Sequence, residues 1–424
     1  GQEVIMATIK KIFAEEVLNS KGYGGVETTV ILSNDIIASS SSPSGTSKGK
    51  YEAHEIRDTE SKRYGGYGTL KAVENVNKII SPKLLGVYVG DQQKIDNLMI
   101  EIDGTKDKSK LGANAILSVS QAVAKAGAKN SSLPLYLYIN KLASNNKTVN
   151  KNPTPLFVML AGGKHADNSI DFQEILLIPS SSKTFEEKIE IGVNIYHLLE
   201  NKLLELGLST LTSIEGGFSP NFSNNMKALR LMKDVINKSG YKLSLDVSLG
   251  IDAASTSFYK EKQYLLKDKA TPYNPEELTK LYQKLILDFN IVYLEDAFSE
   301  DDWSSWQKGF EKLSQNSLIV GDDLTVTNPE RLKQAISKNV INSIIIKPNQ
   351  IGTISEALDV VNTSHLNNLK IIVSHRSGES MDEFIADFAI GVGADFVKFG
   401  APARERVIKY NRLLKIKREL DQMS

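Results

Sequence analysis

The chain contains no cysteine, which removes disulfides, zinc–thiolate centres, iron–sulfur clusters and thiol nucleophiles from consideration. It has no surplus of either charge, with 51 Lys plus Arg against 51 Asp plus Glu. A neutral chain lacks the basic excess that holds a phosphate backbone, so nucleic acid is not an expected partner. No apolar run approaches the roughly 18 residues a membrane helix needs. No charged-then-apolar leader opens the sequence, so the expectation is a cytoplasmic protein without a membrane span. Arginine is scarce: nine of the 51 cations leave 51 − 9 = 42 lysines. Positions that keep Arg are therefore candidates for work needing its rigid bidentate fork.

What is present is a 424-residue chain with 41% hydrophobic residues and 24% charged ones, a soluble-enzyme balance rather than a disordered one. Its length predicts two or three domains, one of which could be an α/β barrel of about 250 residues. Ala7–Val17 and Val26–Ile37 read as strands joined by the turn Asn19-Ser20-Lys21-Gly22-Tyr23-Gly24-Gly25. Ser39–Ser47 carries six serines in nine residues and reads by composition as a flexible linker. Asn114–Ala128 is an Ala-rich helix, and the Ser/Asn/Lys-rich stretch Ala143–Asn152 marks a boundary, dividing the chain into residues 1–142 and 143–424.

Beyond that boundary strand and helix alternate. Thr184 with Glu187, and Thr353 with Glu356, form capping boxes, while Asn328-Pro329 suits an N-cap and first helical position. Short apolar runs end in ionisable residues: Leu245–Asp252, Ile291–Glu295, Ser317–Asp322, Ile344–Lys347, Ile371–His375 and Phe396–Lys398. Such units predict a parallel sheet buried on both faces and closed into a (β/α) barrel, whose active site gathers at the carboxyl ends of the strands. The fold class expected is α/β, a C-terminal barrel with a smaller N-terminal α+β domain. The tail Arg406–Leu420 reads as an amphipathic helix covering the barrel.

Asp252, Glu295 and Asp322 end three successive strands. Taken alone, Asp322 reads more readily as a helix N-cap or loop residue; together, three carboxylates in one mouth repel each other unless a hard cation such as Mg²⁺ holds them. Lys347, Lys398, His375 and Arg376 end the neighbouring strands. Their bland reading is snorkelling at the barrel rim. Beside a metal and a second lysine, however, the Lys347 pKa is expected to fall, making it a usable base, and Arg376 suits a phosphate or carboxylate. Metal, lysine base and anion-binding Arg together suggest proton abstraction next to a carboxylate.

These residues lie within longer segments: Ser374-His375-Arg376-Ser377-Gly378-Glu379, Gly321-Asp322-Asp323-Leu324-Thr325-Val326-Thr327-Asn328-Pro329, Lys347-Pro348-Asn349-Gln350-Ile351-Gly352-Thr353, Leu294-Glu295-Asp296 and Gly162-Gly163-Lys164-His165-Ala166-Asp167-Asn168. In this order and spacing the chain resembles the enolase (phosphopyruvate hydratase) family from Ala7 to about Leu420. The resemblance implies a lyase that dehydrates 2-phosphoglycerate reversibly to phosphoenolpyruvate in glycolysis, with two Mg²⁺ per site and a homodimer or larger homo-oligomer. It also implies that Asp252, Glu295 and Asp322 hold one Mg²⁺, and that Lys347 removes the C2 proton while Lys398 holds the substrate carboxylate. Glu215 would protonate the leaving hydroxyl, supported by Glu174, and Gln173 would contribute to substrate binding. Arg376 and Ser377 would bind the phosphate, His165 would close over the site and His375 would lie on the acid side. Ser47 would ligate a second Mg²⁺, which turns the Ser-rich segment from linker into lid.

The sequence departs from the family pattern near these positions. Lys21 stands where Arg is usual, Ala161 for Asn, Ile214 for the Asp before Glu215, Ala297 for Pro, and Pro348 follows the expected base in place of a β-branched residue. A Ser is missing between Arg404 and Glu405. The charged groups of the site are all retained. A second reading, an enolase-like paralogue with weakened chemistry that serves as a binding or surface protein, sits poorly with that retention and with the chain's Asp421-Gln422-Met423-Ser424 end. His54, His197 and His365 lie outside any motif and read as surface or helix residues.

Overall fold

A computed structural model describes residues 6–45, 48–144, 148–167 and 169–423. The first third is a three-stranded antiparallel meander, β1 (Ile9–Leu18), β2 (Gly24–Leu32) and β3 (Ile37–Ser42), followed by α1 (Leu70–Asn75), α2 (Ser81–Leu84), α3 (Gln92–Asp103), α4 (Ala113–Asn130) and α5 (Leu135–Ala143). Alternation on β2 sends Val26, Thr28, Val30 and Leu32 inward. They pack on α4, whose small Ala and Ser side chains allow close approach and leave it buried on nearly every side. Thr28 Oγ1 and Ser118 Oγ bond at 2.7 Å within that interface.

The serine run does not form a linker throughout. Ser39–Ser42 belong to β3, where Ser40 Oγ donates to Gln121 Oε1 at 3.1 Å and Ser42 Oγ donates to the Asn114 carbonyl at 2.8 Å. Hydrogen bonds to α4 thus replace the apolar contacts a strand would ordinarily bury.

The remaining elements are β4 (Thr154–Ala161), β5 (Glu174–Pro179), α6 (Phe185–Glu205), α7 (Asn225–Ser239), β6 (Val247–Asp252), the small hairpin β7 (Tyr259–Lys260) and β8 (Gln263–Tyr264), α8 (Pro275–Phe289), β9 (Ile291–Glu295), α9 (Trp303–Leu313), β10 (Leu318–Gly321), α10 (Pro329–Ser337), β11 (Ser343–Ile346), α11 (Ile354–Leu366), β12 (Lys370–Ser374), α12 (Phe384–Gly391), β13 (Phe396–Gly400) and α13 (Val407–Met423). Eight strands close into a barrel in the order β10-β11-β12-β13-β4-β5-β6-β9. Leu156, Val158, Leu176, Ile178, Tyr293, Val320, Ile345 and Ile372 fill its lumen, and a second apolar layer lies between strands and helices.

The barrel is not wholly parallel as expected. β5 runs antiparallel to both β4 and β6. Among its described residues the β4–β5 connection carries no α-helix, so the chain turns straight back, as only an antiparallel pair permits. Two helices, α6 and α7, then intervene before β6 resumes the common direction. As a result the mouth that receives the carboxyl ends of the other strands receives the first residue of β5, Glu174, which pairs with Asp252 and Ala161.

The Thr184–Glu187 capping box forms in full and Asn328 caps α10. The Thr353–Glu356 box is half formed: Thr353 Oγ1 accepts from the Glu356 N–H at 3.1 Å, but the Glu356 carboxylate takes the Thr353 hydroxyl at 2.7 Å and the Lys108 ammonium at 2.8 Å instead of reaching the Thr353 N–H.

Candidate functional site

Most of the charged residues at the mouth are delivered by strand ends. Asp252 and Glu295 are the last residues of β6 and β9; Asp322 follows β10, Lys347 follows β11, His375 and Arg376 follow β12, and Lys398 lies on β13. Lys398 Nζ sits among carboxylates, 2.9 Å from Asp252 Oδ2, 2.9 Å from Glu295 Oε2 and 3.0 Å from Glu174 Oε2. Lys347 Nζ lies 2.6 Å from Asp322 Oδ2, while Gln350 Nε2 donates to Asp322 Oδ1 at 3.0 Å and Gln173 Nε2 donates to Asp252 Oδ2 at 3.2 Å.

Burial and mutual repulsion push the Asp252 carboxyl up, and the Glu295 and Asp296 carboxyls well up. Burial alone would raise Asp322 as well, yet the Lys347 and Lys398 ammoniums hold it low. Lys347 does not follow expectation. Burial alone would lower it, but the Asp322 carboxylate raises it above its ordinary value. The pair with Asp322 therefore keeps the base as an ammonium ion.

Among the described residues, the buried oxygens Asp252 Oδ1 and Glu295 Oε1 find no hydrogen-bond partner, and ligand atoms of Glu295, Asp296 and Asp322 lie within 4.8 Å of one another. Bare carboxylate oxygens converging in a buried space suit a hard divalent cation such as Mg²⁺. Asp296 has no role in the sequence reading. Its carboxylate accepts the Asp322 N–H at 3.0 Å and the Asp323 N–H at 2.8 Å, which turns Asp322 into the mouth.

The opposite wall holds Glu174, Glu215, His165 and His375. His165 Nδ1 lies 3.3 Å from Glu174 Oε1 and 3.8 Å from Glu215 Oε2, ion-pair separations without hydrogen-bond alignment at Nδ1. Burial alone would lower the imidazole, but Glu215 and Glu174 hold it up at about 9. Burial alone would raise Glu215, but His165 and the other cations bring it to about 2. His375 Nε2 lies 3.3 Å from Glu215 Oε2, and its Nδ1 faces Arg406 Nη1 at 2.9 Å. A guanidinium can only donate, so His375 Nδ1 accepts and its proton sits on Nε2, toward Glu215. Burial and the Arg406 charge push His375 well down.

Arg376 reaches the third side of the site, where Glu52 takes Nη1 at 3.0 Å and Nη2 at 3.3 Å, and Asn349 Oδ1 accepts from Nη1 at 3.1 Å. Ser377 is buried next to it. The enclosed polar space is about 30 Å³, room for a water molecule or an ion. Ser47 lies outside the described residues.

The structure thus brings together Glu174, Gln173, Glu215, His165, His375, Arg376, Ser377, Lys347, Lys398, Asp252, Glu295 and Asp322. His54 and His197 are exposed, and His365 bonds the Val392 carbonyl on the far side of α11. Glu52, Asp296 and Arg406 were missed. Arg406, fully buried, also donates to the Arg376 and Ser377 carbonyls at 2.8 Å; the scarcity of arginine was the signal that could have found it. Among the departures, Ile214 is 43% exposed and brings no charge of its own next to Glu215, whereas Ala297 is fully buried with its carbonyl accepting the Tyr282 hydroxyl at 2.9 Å. Pro348 leaves Lys347 extended at φ −131°.

Two family models match the chain: the enolase N-terminal domain over residues 9–139, and the enolase C-terminal TIM barrel domain over residues 150–424. A curated enolase from a Nitratiruptor species is 46% identical over 416 residues, covering 98% of this chain and 97% of that protein. With two matching domains and a relative of that identity along almost its full length, the chain belongs to the enolase family of hydro-lyases.

Proposed function

We propose that this protein catalyses the Mg²⁺-dependent, reversible dehydration of 2-phosphoglycerate to phosphoenolpyruvate, the glycolytic step. The observation that carries the reading is the pair of opposed walls. A lysine base lies beside a carboxylate cluster with bare buried oxygens, and a proton-bearing His/Glu cluster faces it. A divalent cation among Asp252, Glu295 and Asp322 would neutralise those carboxylates and stabilise the charge that develops on the substrate carboxylate.

Lys347, once freed from its pair with Asp322, accepts the C2 proton at Nζ. Lys398 holds the substrate carboxylate, helped by Gln173 on Asp252. Electrons from the C2–H bond form the C2=C3 double bond as the C3–O bond breaks. Glu215 relays to the departing hydroxyl the proton that His165 holds beside it, and the hydroxyl leaves as water. Glu174, His165 and His375 keep that proton in the cluster and orient it. Arg376 and Ser377 take the phosphate, a bidentate partner of the same kind as Glu52, so Glu52 must leave Arg376 as the substrate enters. Ser47 is proposed as a ligand of a second Mg²⁺ at the phosphate. A cytoplasmic homodimer or larger homo-oligomer, with residues 1–142 capping a barrel of residues 143–424, completes the proposal.

The test is phosphoenolpyruvate formation, followed by ultraviolet absorbance with and without Mg²⁺. Turnover is expected only with Mg²⁺, and Lys347→Ala should lower kcat by about 10²–10⁴-fold. A folded protein that binds Mg²⁺ and turns nothing over would sink the reading.

A further inference from the structure

Tyr293 lies two residues before Glu295 on β9, so both side chains face the barrel lumen. Its ring is fully buried among Val158, Val320, Ile345 and Ile372. Space for it comes from Gly250, its partner on β6: a Cβ at Gly250 would lie 3.1 Å from Tyr293 Cβ and 3.0 Å from Ile178 Cδ1. A phenylalanine ring would fill the same volume, so packing does not account for the hydroxyl. That hydroxyl donates to Glu295 Oε2 at 2.6 Å, the oxygen that also accepts from Lys398 Nζ at 2.9 Å.

Two donors therefore converge on one oxygen of Glu295, while Oε1 stays buried and finds no partner among the described residues. Asp252 repeats the pattern, with Lys398 and Gln173 on Oδ2 and no described residue bonding Oδ1. Carboxylate ligands held in this way from behind keep their orientation and their affinity for metal.

We propose that Tyr293 is a positioning residue of the cation site, whose hydroxyl fixes the Glu295 carboxylate so that Oε1 presents itself to Mg²⁺. The inference rests on the reading above that Asp252, Glu295 and Asp322 hold the cation. It acts from below, through the barrel lumen, and touches no substrate.

The test is isothermal titration of Mg²⁺ into substrate-free protein, comparing wild type, Tyr293→Phe and Glu295→Gln, with the metal-free thermal midpoint of each measured alongside. Tyr293→Phe is expected to raise the Mg²⁺ Kd about tenfold or more. At saturating Mg²⁺ its kcat should stay close to wild type, so that the defect falls on metal affinity. Tyr293→Met, whose flexible side chain can occupy the same space, should weaken binding likewise and serves if the Phe variant does not fold. A wild-type protein that binds Mg²⁺ while both Tyr293 variants bind it equally well would overturn the role of Tyr293 alone. A wild type that does not bind Mg²⁺, or a Glu295→Gln variant that binds it unchanged, would overturn the cation reading and this inference with it.

Discussion

At the scale of single residues, the ion pair between His165 and Glu215 makes the folded state sensitive to pH. His165 rises from 6.5 to about 9 on folding, so its contribution is complete below pH 6.5 and is lost as pH climbs through about 9. Glu215 falls from 4.5 to about 2, so its contribution is complete above pH 4.5 and is lost as pH drops through about 2. The pair therefore stabilises most between pH 4.5 and 6.5. Denaturant unfolding from pH 6.5 to 9 should show a decline in stability for the wild type that His165→Gln lacks; parallel slopes would mean an ordinary imidazole. The ionisable residues that end strands were legible in the sequence because the strand pattern places them. Glu52 and Arg406 were not, because each reaches the site from a segment whose position only packing decides.

At the scale of elements, local signals were the most readable. Thr184 and Glu187 announce α6 three residues apart, and both reciprocal bonds form. Thr184→Ala should cost about 1 kcal/mol of stability, seen as a lower Tm with activity retained; an unchanged Tm would mean that tertiary packing alone sets that helix start. β3 defeated the composition argument because its serines bury themselves by bonding α4 and Asp382, with Ser40 Oγ 2.7 Å from Asp382 Oδ2. β5 defeated the parallel-sheet argument because an apolar strand buried on both faces reads alike in either direction. Its reversal is what puts Glu174 at the mouth.

At the scale of the molecule, the N-terminal elements hold the segment that carries the base. The Ile354 N–H donates to Ser120 Oγ at 3.0 Å, and the Ser355 N–H and hydroxyl donate to Asp96 Oδ2 at 3.0 and 2.6 Å. Side chains of α3 and α4 thus cap α11, whose start lies seven residues after Lys347. Here a buried carboxylate meets the positive end of a helix. Asp96→Ala should leave buried donors unsatisfied and cost about 1–3 kcal/mol, measured by denaturant unfolding. Wild-type stability in that variant would mean that the junction is held elsewhere, for instance by the Lys108–Glu356 pair at 2.8 Å.

By itself the sequence determined the alternation of strand and helix, the helix caps, the absence of thiol chemistry and the array of acids and lysines at strand ends. These follow from short-range periodicity and spacing, which the chain carries in linear order. Only the tertiary structure decided the direction of β5, the choice of Asp296 to orient Asp322, the seating of Glu52 on Arg376 and the proton placement on His375. Each depends on groups far apart in sequence meeting in a buried space, where low polarity makes every pairing or bare oxygen count.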